Sequence, residues 1–281
     1  MYGFGRKAIS DQDNNRMPAM SPFPALFISH GAPSIGLDPS PARDFLAGLG
    51  NAYERPRAIL VISAHYDARR PTLTSGERPE TIHDFGGFPD ELYRMTYPAP
   101  GDPVLAAEIA SLLQAAGFEA GGDPARGLDH GAWVPLRLMY PDADIPVIQL
   151  SINMAETPDW HFRLGEALAP LRERGVLIIG SGSLTHNLRA VFSGGFQIDS
   201  PPPAWVTDFA DWMDTHLETG DKDSVLHAVE QAPHGYDNHP TMDHILPLFV
   251  AMGAGGSTAR RIHHSTTYGA LTMDAYAFGG I

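Results

Sequence analysis

Four short apolar runs punctuate the chain: FPALFIS at 23–29, RAILVISA at 57–64, IPVIQLSI at 145–152 and VLIIG at 176–180. Each is too short for a stable helix, rich in branched residues and bounded by Pro, Gly or polar residues. Apolar side chains at consecutive rather than alternate positions predict strands buried on both faces, as in a sheet covered by helices. Between these runs the pattern changes to a helical one. Asp102 precedes Pro103 and the run VLAAEIASLLQAA, which stops before Gly117. An Asp cap, a Pro at the first position and a terminal Gly are helix boundary signals. Thr157 and Pro158 open a second helix, with Gly175 past its end. Further helices are predicted over 203–217, 222–232 and 243–252, and in the last of these Pro247 has to sit in the first turn or kink it. Residues 266–278 read as a late strand or hairpin. Alternation of strands and helices predicts an α/β fold, a single domain with a central mixed, mainly parallel sheet flanked by helices. Residues 1–20 carry no hydrophobic period and are expected to form a mobile extension. No repeat or Gly/Ser linker divides residues 21–281, which are expected to be one catalytic domain.

Composition narrows the chemistry. With 281 residues, 43% of them hydrophobic and 19% charged, the chain can bury a sizeable core. No apolar run is long enough to cross a bilayer and no basic-then-apolar leader opens the chain, so a cytoplasmic location is expected. There is no cysteine. That removes disulfides and thiol nucleophiles, and leaves His and carboxylates as metal ligands. The net charge of −14 argues against nucleic-acid and membrane partners. An anionic small substrate stays admissible, because a local Arg or a metal can reverse the field inside a pocket. The sequence leaves room for a homo-oligomer without specifying one.

The histidines fall where a site is expected. The first run leads into His30-Gly31, the second into His65-Tyr66, and VLIIGSGSLT into His186-Asn187. Ligands of open α/β sheets bind beyond the carboxyl ends of the strands. One histidine after a strand is more often a hydrogen-bonded loop residue than a ligand. Three, each after a buried run and accompanied by Gly31, Gly180 and Gly182, point to imidazoles converging on one metal ion. A second constellation, HGYDNHPTMDHILPL from His234 to Leu248, holds His239 and His244. A helix starting near Thr241 places His239 before it and His244 in its first turns; the alternative is a cap at Thr241 or Asp243 with His239 packed in the loop. A third, GLDHGAWVPL, offers His130 and Trp133 either as a pocket wall or as a loop anchored by a buried Trp. In FGGFPDELYRMTYP, Phe88, Tyr93 or Arg94 is expected at the pocket mouth, or else the stretch is a packed connector.

These segments resemble the class III extradiol ring-cleavage dioxygenases, which include the β subunit of protocatechuate 4,5-dioxygenase, and most closely the DOPA 4,5-dioxygenase-like branch. FISHGAPS, VISAHY, FGGFPDELYRMTYPAPGDP, GLDHGAWVPL, GSGSLTHNLR and HPTMDHILPLFVAMGA occur in the family's order, and together they are a specific signal. The resemblance implies ring opening of a catecholic small molecule by O₂ at a mononuclear non-haem Fe(II) site. It implies His30 and His65 as ligands. The third ligand is a glutamate in the branch with separate subunits and a histidine in the DOPA-like branch, here His244 with His239 as fallback. Asp243 stands where such sequences often carry Glu. His186 corresponds to the acid/base histidine and His130 to a histidine near the substrate. Zn(II) binds such ligands at least as well as Fe(II) and can occupy the site in a purified sample. The competing readings are a zinc-dependent hydrolase, for which no HExxH helix is present, and a non-catalytic binding protein on the same fold.

Overall fold

The computed structural model describes residues 22–280, so the extension expected over residues 1–20 lies outside the described residues. Among the described residues there are ten strands: β1 Ala25–Ser29, β2 Ala58–Asp67, β3 Thr72–Thr74, β4 Gly121–Asp123, β5 Val147–Ile152, β6 Val176–Gly182, β7 Ala259–His263, β8 Thr266–Thr267, β9 Leu271–Thr272 and β10 Ala275–Phe278. Eight of them form one sheet in the order β4-β3-β5-β2-β6-β1-β10-β7, and β8 pairs with β9 apart from it. The central strands β5, β2, β6 and β1 are parallel, whereas β3 runs antiparallel to β5 and β10 to β1. The class is α/β with a mixed, mainly parallel sheet, as the run pattern predicts.

The consecutive apolar residues are divided between two cores. Phe27, Leu60, Ile62 and Ile178 face one side, where they meet the helices Pro158–Leu168 and Leu246–Gly255. Leu26, Ile28, Val61 and Ile179 face the other, against the helices Pro41–Leu49 and His130–Met139. Neighbouring strand residues point to opposite faces, so only a sheet covered on both sides can bury every one of them. Each fully buried aliphatic side chain contributes about 1.5–3 kcal/mol.

The caps at Asp102 and Thr157 are in place, their side chains accepting from Leu105 N–H and Trp160 N–H. Three expectations need correction. β2 extends to Asp67, so His65 lies inside the strand and not beyond it. The helix predicted over 243–252 begins at Leu246. Pro247 occupies its first turn, where no N–H is needed, and residues 241–245 form a turn that carries His244. The segment 222–232 is broken into Lys222–Leu226 and Ala228–Gln231. The ending is a hairpin of β8 and β9, as expected, followed by the strand β10, while β3, β4 and β7 are not anticipated by the sequence pattern. Three-residue strands and the Arg-containing β7 carry too little periodicity to read.

Register sets the site. Ile28 and Ser63 both pair with Ser181, and Ser29 pairs with Gly182. The carboxyl ends of β1, β2 and β6 are therefore level and open to the same side of the sheet.

Candidate active site

His30 follows β1 directly, His65 stands near the end of β2, and His244 is carried to the end of β6 by the turn before Leu246–Gly255. Two glycines let that turn approach. A Cβ on Gly180 would lie 2.3 Å from the Pro247 carbonyl oxygen, and one on Gly182 would lie 2.1 Å from that of His244. The Ser183 N–H then donates to the His244 carbonyl at 2.9 Å. As a result His30, His65 and His244 each bring a ligand atom within 4.8 Å of the others.

Two of the rings are hydrogen-bonded through Nδ1, and the third faces a carboxylate on that side. His30 Nδ1 donates to Ser181 Oγ at 3.0 Å, and the Ser181 hydroxyl donates to the Gly131 carbonyl at 2.5 Å. That carbonyl is free because Pro135, four residues later in the helix His130–Met139, has no N–H to offer it. A proline inside one helix thus recruits a serine from the sheet, and the serine fixes the tautomer of His30 with Nε2 unprotonated. His244 Nδ1 donates to Asp243 Oδ2, and Thr241 Oγ1 donates to Asp243 Oδ1. His65 Nδ1 faces Asp84 Oδ2 at 3.8 Å. Oxygen partners on the outer nitrogen are what orient metal-binding imidazoles. The inner atoms, His30 Nε2 and His65 Nε2, are 3.0 Å apart. Two adjacent nitrogens about 2.1 Å from one ion are separated by about 3 Å, so the donor set fits a single first-row divalent metal.

The electrostatics favour neutral rings. Burial, then the neighbouring His65, His130 and His244, hold His30 well below the usual imidazole range. Burial and then His130 bring His65 down to about 2. Burial and then His244 bring His186 down to about 3. Neutral imidazole is the form that binds metal. His186 stacks on His244, with centroids 3.4 Å apart and planes 9° from parallel. His130 sits across the site, its ring 4.0 Å from that of His65. Asp84 clamps it: Oδ1 accepts from the His130 N–H at 2.9 Å, and Oδ2 stands 2.9 Å from Nδ1, off the direct line of the N–H. Burial opposes ionisation of Asp84, but His130 overcomes it and holds the carboxyl down to about 2. For Asp243 burial likewise opposes, and the bond from His244 prevails, leaving the carboxyl below its usual range.

Residues 25–279 match the family described as the catalytic LigB subunit of aromatic ring-opening dioxygenase. The chain belongs to this family of extradiol ring-opening dioxygenases. It is 45% identical over 259 residues to a 4,5-DOPA dioxygenase extradiol of Beta vulgaris, covering 90% of this chain and 95% of the relative. It is 42% identical to a 4,5-DOPA dioxygenase extradiol of Escherichia coli (strain K12), over 82% of this chain and 84% of that one. Among solved structures it is similar to an uncharacterized protein from Escherichia coli K12, with a TM-score of 0.74 and 32% identity over 92% of this chain and 100% of that chain.

In this dioxygenase the histidines open onto a cavity of about 430 Å³, walled by Phe85, Phe88, Val191, Leu271 and Tyr268 besides the imidazoles. The structure brings His30, His65, His130, His186 and His244 together there and leaves other expected residues outside. His239 is buried apart from the group, its Nε2 donating to the Leu184 carbonyl at 2.8 Å. Trp133 does not line the cavity: it is packed in the core and its Nε1 donates to the Ile82 carbonyl at 2.9 Å. It supports Phe85 from behind, with ring centroids 6.3 Å apart. Phe88 lines the cavity, Tyr93 packs on Phe85, and Arg94 is an exposed partner of Asp90. Sequence reasoning missed Asp84 and Ser181. The one readable signal was Pro135, a proline inside a helical pattern, which announces an orphan carbonyl. No helix among the described residues is long and apolar enough to cross a membrane.

Proposed function

We propose that the chain is a mononuclear metal-dependent dioxygenase that opens a catechol ring next to one hydroxyl, with His30, His65 and His244 as ligands, Fe(II) as the working metal and His186 as the acid/base. The observation that supports it is the convergence of three imidazoles, two of them hydrogen-bonded from outside by Ser181 and Asp243 and the third facing Asp84, at the floor of a cavity with two further histidines on its wall. A facial set of three protein ligands leaves positions open to a catechol and O₂. When bound, Fe(II) would acidify the catechol and relay electrons from the catecholate to O₂, a redox role that Zn(II) lacks.

The chain supplies the rest. His186 is neutral and so ready to accept a hydroxyl proton and to return it later in the turnover. Its face-to-face seat on His244 holds its ring beside the metal-binding group. His130 carries its proton on Nδ1, because a ring nitrogen 2.9 Å from a carboxylate oxygen has to present N–H and not a lone pair. Its Nε2 is left to meet a second substrate hydroxyl. Phe85 stands edge-on to it and Phe88 edge-on to Phe85, and both wall the ring-binding space against water.

The test is O₂ uptake by anaerobically Fe(II)-loaded protein with a panel of catechols, following the yellow ring-opened product. Uptake that requires both iron and a catechol is expected. Full iron occupancy without uptake would overturn the proposal in favour of a zinc hydrolase or a binding protein.

A further inference from the structure

Behind the histidines lies a carboxylate with no exposed surface, Asp129. Each of its polar atoms is partnered. Oδ1 accepts from the Ser63 hydroxyl at 2.7 Å, and Oδ2 accepts from Arg126 Nη2 at 3.2 Å and from the Gln149 side-chain amide. Its N–H donates to Gln149 Oε1 at 3.2 Å, and its carbonyl accepts from the Ala132 and Trp133 N–H groups at the start of the helix His130–Met139. Burying a carboxylate is costly even when it is fully hydrogen-bonded, and an apolar side chain of similar size would fill the same space without that cost. The reason for an aspartate lies in where its partners lead.

Two of them grip the peptide of His65 from both sides. Ser63 Oγ accepts from the His65 N–H at 3.2 Å, and the same Arg126 Nη2 that meets Asp129 donates to the His65 carbonyl at 3.3 Å. The Arg126 guanidinium also lies over the neighbouring Tyr66 ring, 4.5 Å from its centroid. The sheet itself does not hold His65. The pairing of β2 with β6 ends at Ser63, and its pairing with β5 breaks off there and resumes only at Asp67. Side chains anchored on Asp129 therefore replace the missing ladder bonds at the position of the imidazole. In the other direction Asp129 is joined to His130 by the chain itself. Gly131, which follows, comes so close to β2 that a Cβ on it would lie 2.5 Å from Ser63 Oγ and 3.1 Å from His65 Cδ2. One carboxylate thus stands between His65 on the strand and His130 on the helix, whose rings are 4.0 Å apart.

We infer that Asp129 is a positioning residue: through Ser63 and Arg126 it holds His65, a proposed metal ligand, in register with His130 on the substrate side. This rests on the ring-opening reading above and adds the residue that ties the two sides of that site together.

The experiment compares Asp129→Asn and Ser63→Ala with the wild type. The asparagine keeps the size of the side chain but offers one oxygen to three donors, so the brace on His65 loosens. Ser63→Ala frees the His65 N–H alone. Ile109→Ala, in the core on the opposite face of the sheet, is the control for lowered stability. Zn(II) affinity is measured by chelator competition, ligand geometry from the visible spectrum of the Co(II)-loaded protein, and KM and kcat with unsubstituted catechol and the Fe(II)-loaded enzyme. Both site variants should bind Zn(II) about tenfold more weakly and shift the Co(II) bands. The combined loss in the double variant should be smaller than the product of the two, because Asp129 acts partly through Ser63. Asp129→Asn should raise KM as well, and Ser63→Ala should raise it less, since Gln149 still holds the start of the His130 helix. Ile109→Ala should lower the unfolding midpoint and leave affinity and bands unchanged. Wild-type affinity and Co(II) bands in Asp129→Asn, whatever its unfolding midpoint, would overturn the inference. Should that variant not fold, Ser63→Ala decides in the same way: a tenfold loss supports the brace and wild-type affinity overturns it. A wild type that binds metal but consumes no O₂ with catechol would sink the ring-opening reading alone, because the metal comparison needs no turnover. A wild type that binds no Zn(II) would overturn both.

Discussion

Ser181 is the sharpest place to test how the fold prepares the metal centre. Its hydroxyl donates to the Gly131 carbonyl and accepts from His30 Nδ1, and it is fully buried. Ser181→Ala removes both bonds. The loss of a hydrogen bond to the outer nitrogen of a ligand typically costs ten- to a hundredfold in metal affinity, roughly 1.4–2.7 kcal/mol. The stranded Gly131 carbonyl costs metal-free stability by a further ~1–3 kcal/mol. The two effects separate through Pro135. In Pro135→Ala the new N–H at position 135 can serve the Gly131 carbonyl within the helix, so the double variant should recover about 1 kcal/mol of the stability that Ser181→Ala loses. Its metal affinity should stay as low as that of Ser181→Ala, because His30 Nδ1 still lacks its acceptor. Stability is read from urea unfolding of the metal-free protein, and affinity from chelator competition with Zn(II). Wild-type affinity in Ser181→Ala, or stabilities that add within ~0.5 kcal/mol in the double variant, would refute the relay from Pro135 to His30.

Other outcomes follow from the same geometry. His186→Ala should keep one metal per chain and lose turnover by at least a hundredfold; loss of metal, measured by elemental analysis, would make it a ligand instead. His244→Ala should empty the site, whereas His239→Ala, which removes only the bond to the Leu184 carbonyl, should retain the metal and lower the unfolding midpoint. His161 lies away from the site, held neutral by donating Nδ1–H to the Thr157 carbonyl and accepting from Asn153 N–H, and burial brings it down to about 4. Its folded value is below the unfolded one, so the unfolded chain takes up the proton first. Stability should therefore fall as pH drops from about 6.5 towards 4, by up to about 3 kcal/mol from this residue. His161→Gln should flatten that part of the profile in metal-free protein, and an unchanged slope would show that the ring titrates normally.

What the sequence made legible and what it hid divide along a physical line. β1, β2, β5 and β6 were readable because burial on both faces demands uninterrupted apolar residues, and His30 and His65 were readable because they break such runs at the open end of the sheet. The sequence pattern places His244 in a helix, whereas the structure places it in the turn before one. The helix pattern of 243–252 was real in hydrophobicity, yet Gly180 and Gly182 draw the turn so close to β6 that the helix starts only at Leu246. That approach brings together Gly182 with His244 and Gly180 with Pro247, far apart in the chain, and no local window contains them. Trp133 was read as a pocket wall or a buried anchor, and aromatic character alone does not separate the two.

The residues that orient the ligands were hidden for a different reason. Ser181 and Asp84 have no distinctive neighbours, since a serine in a strand and an aspartate in a loop are ordinary. They acquire their roles from an accounting of donors and acceptors across elements: a proline removes one N–H, a carbonyl needs a replacement, and the serine that supplies it has a lone pair left for an imidazole. The identity of the proposed ligands is thus written in local pattern, while their orientation is written in the hydrogen bonds the rest of the fold leaves unfilled. A chain with all the family's histidines but with Ala at position 181 would look the same by motif and bind its metal less well, which the Ser181→Ala measurement decides.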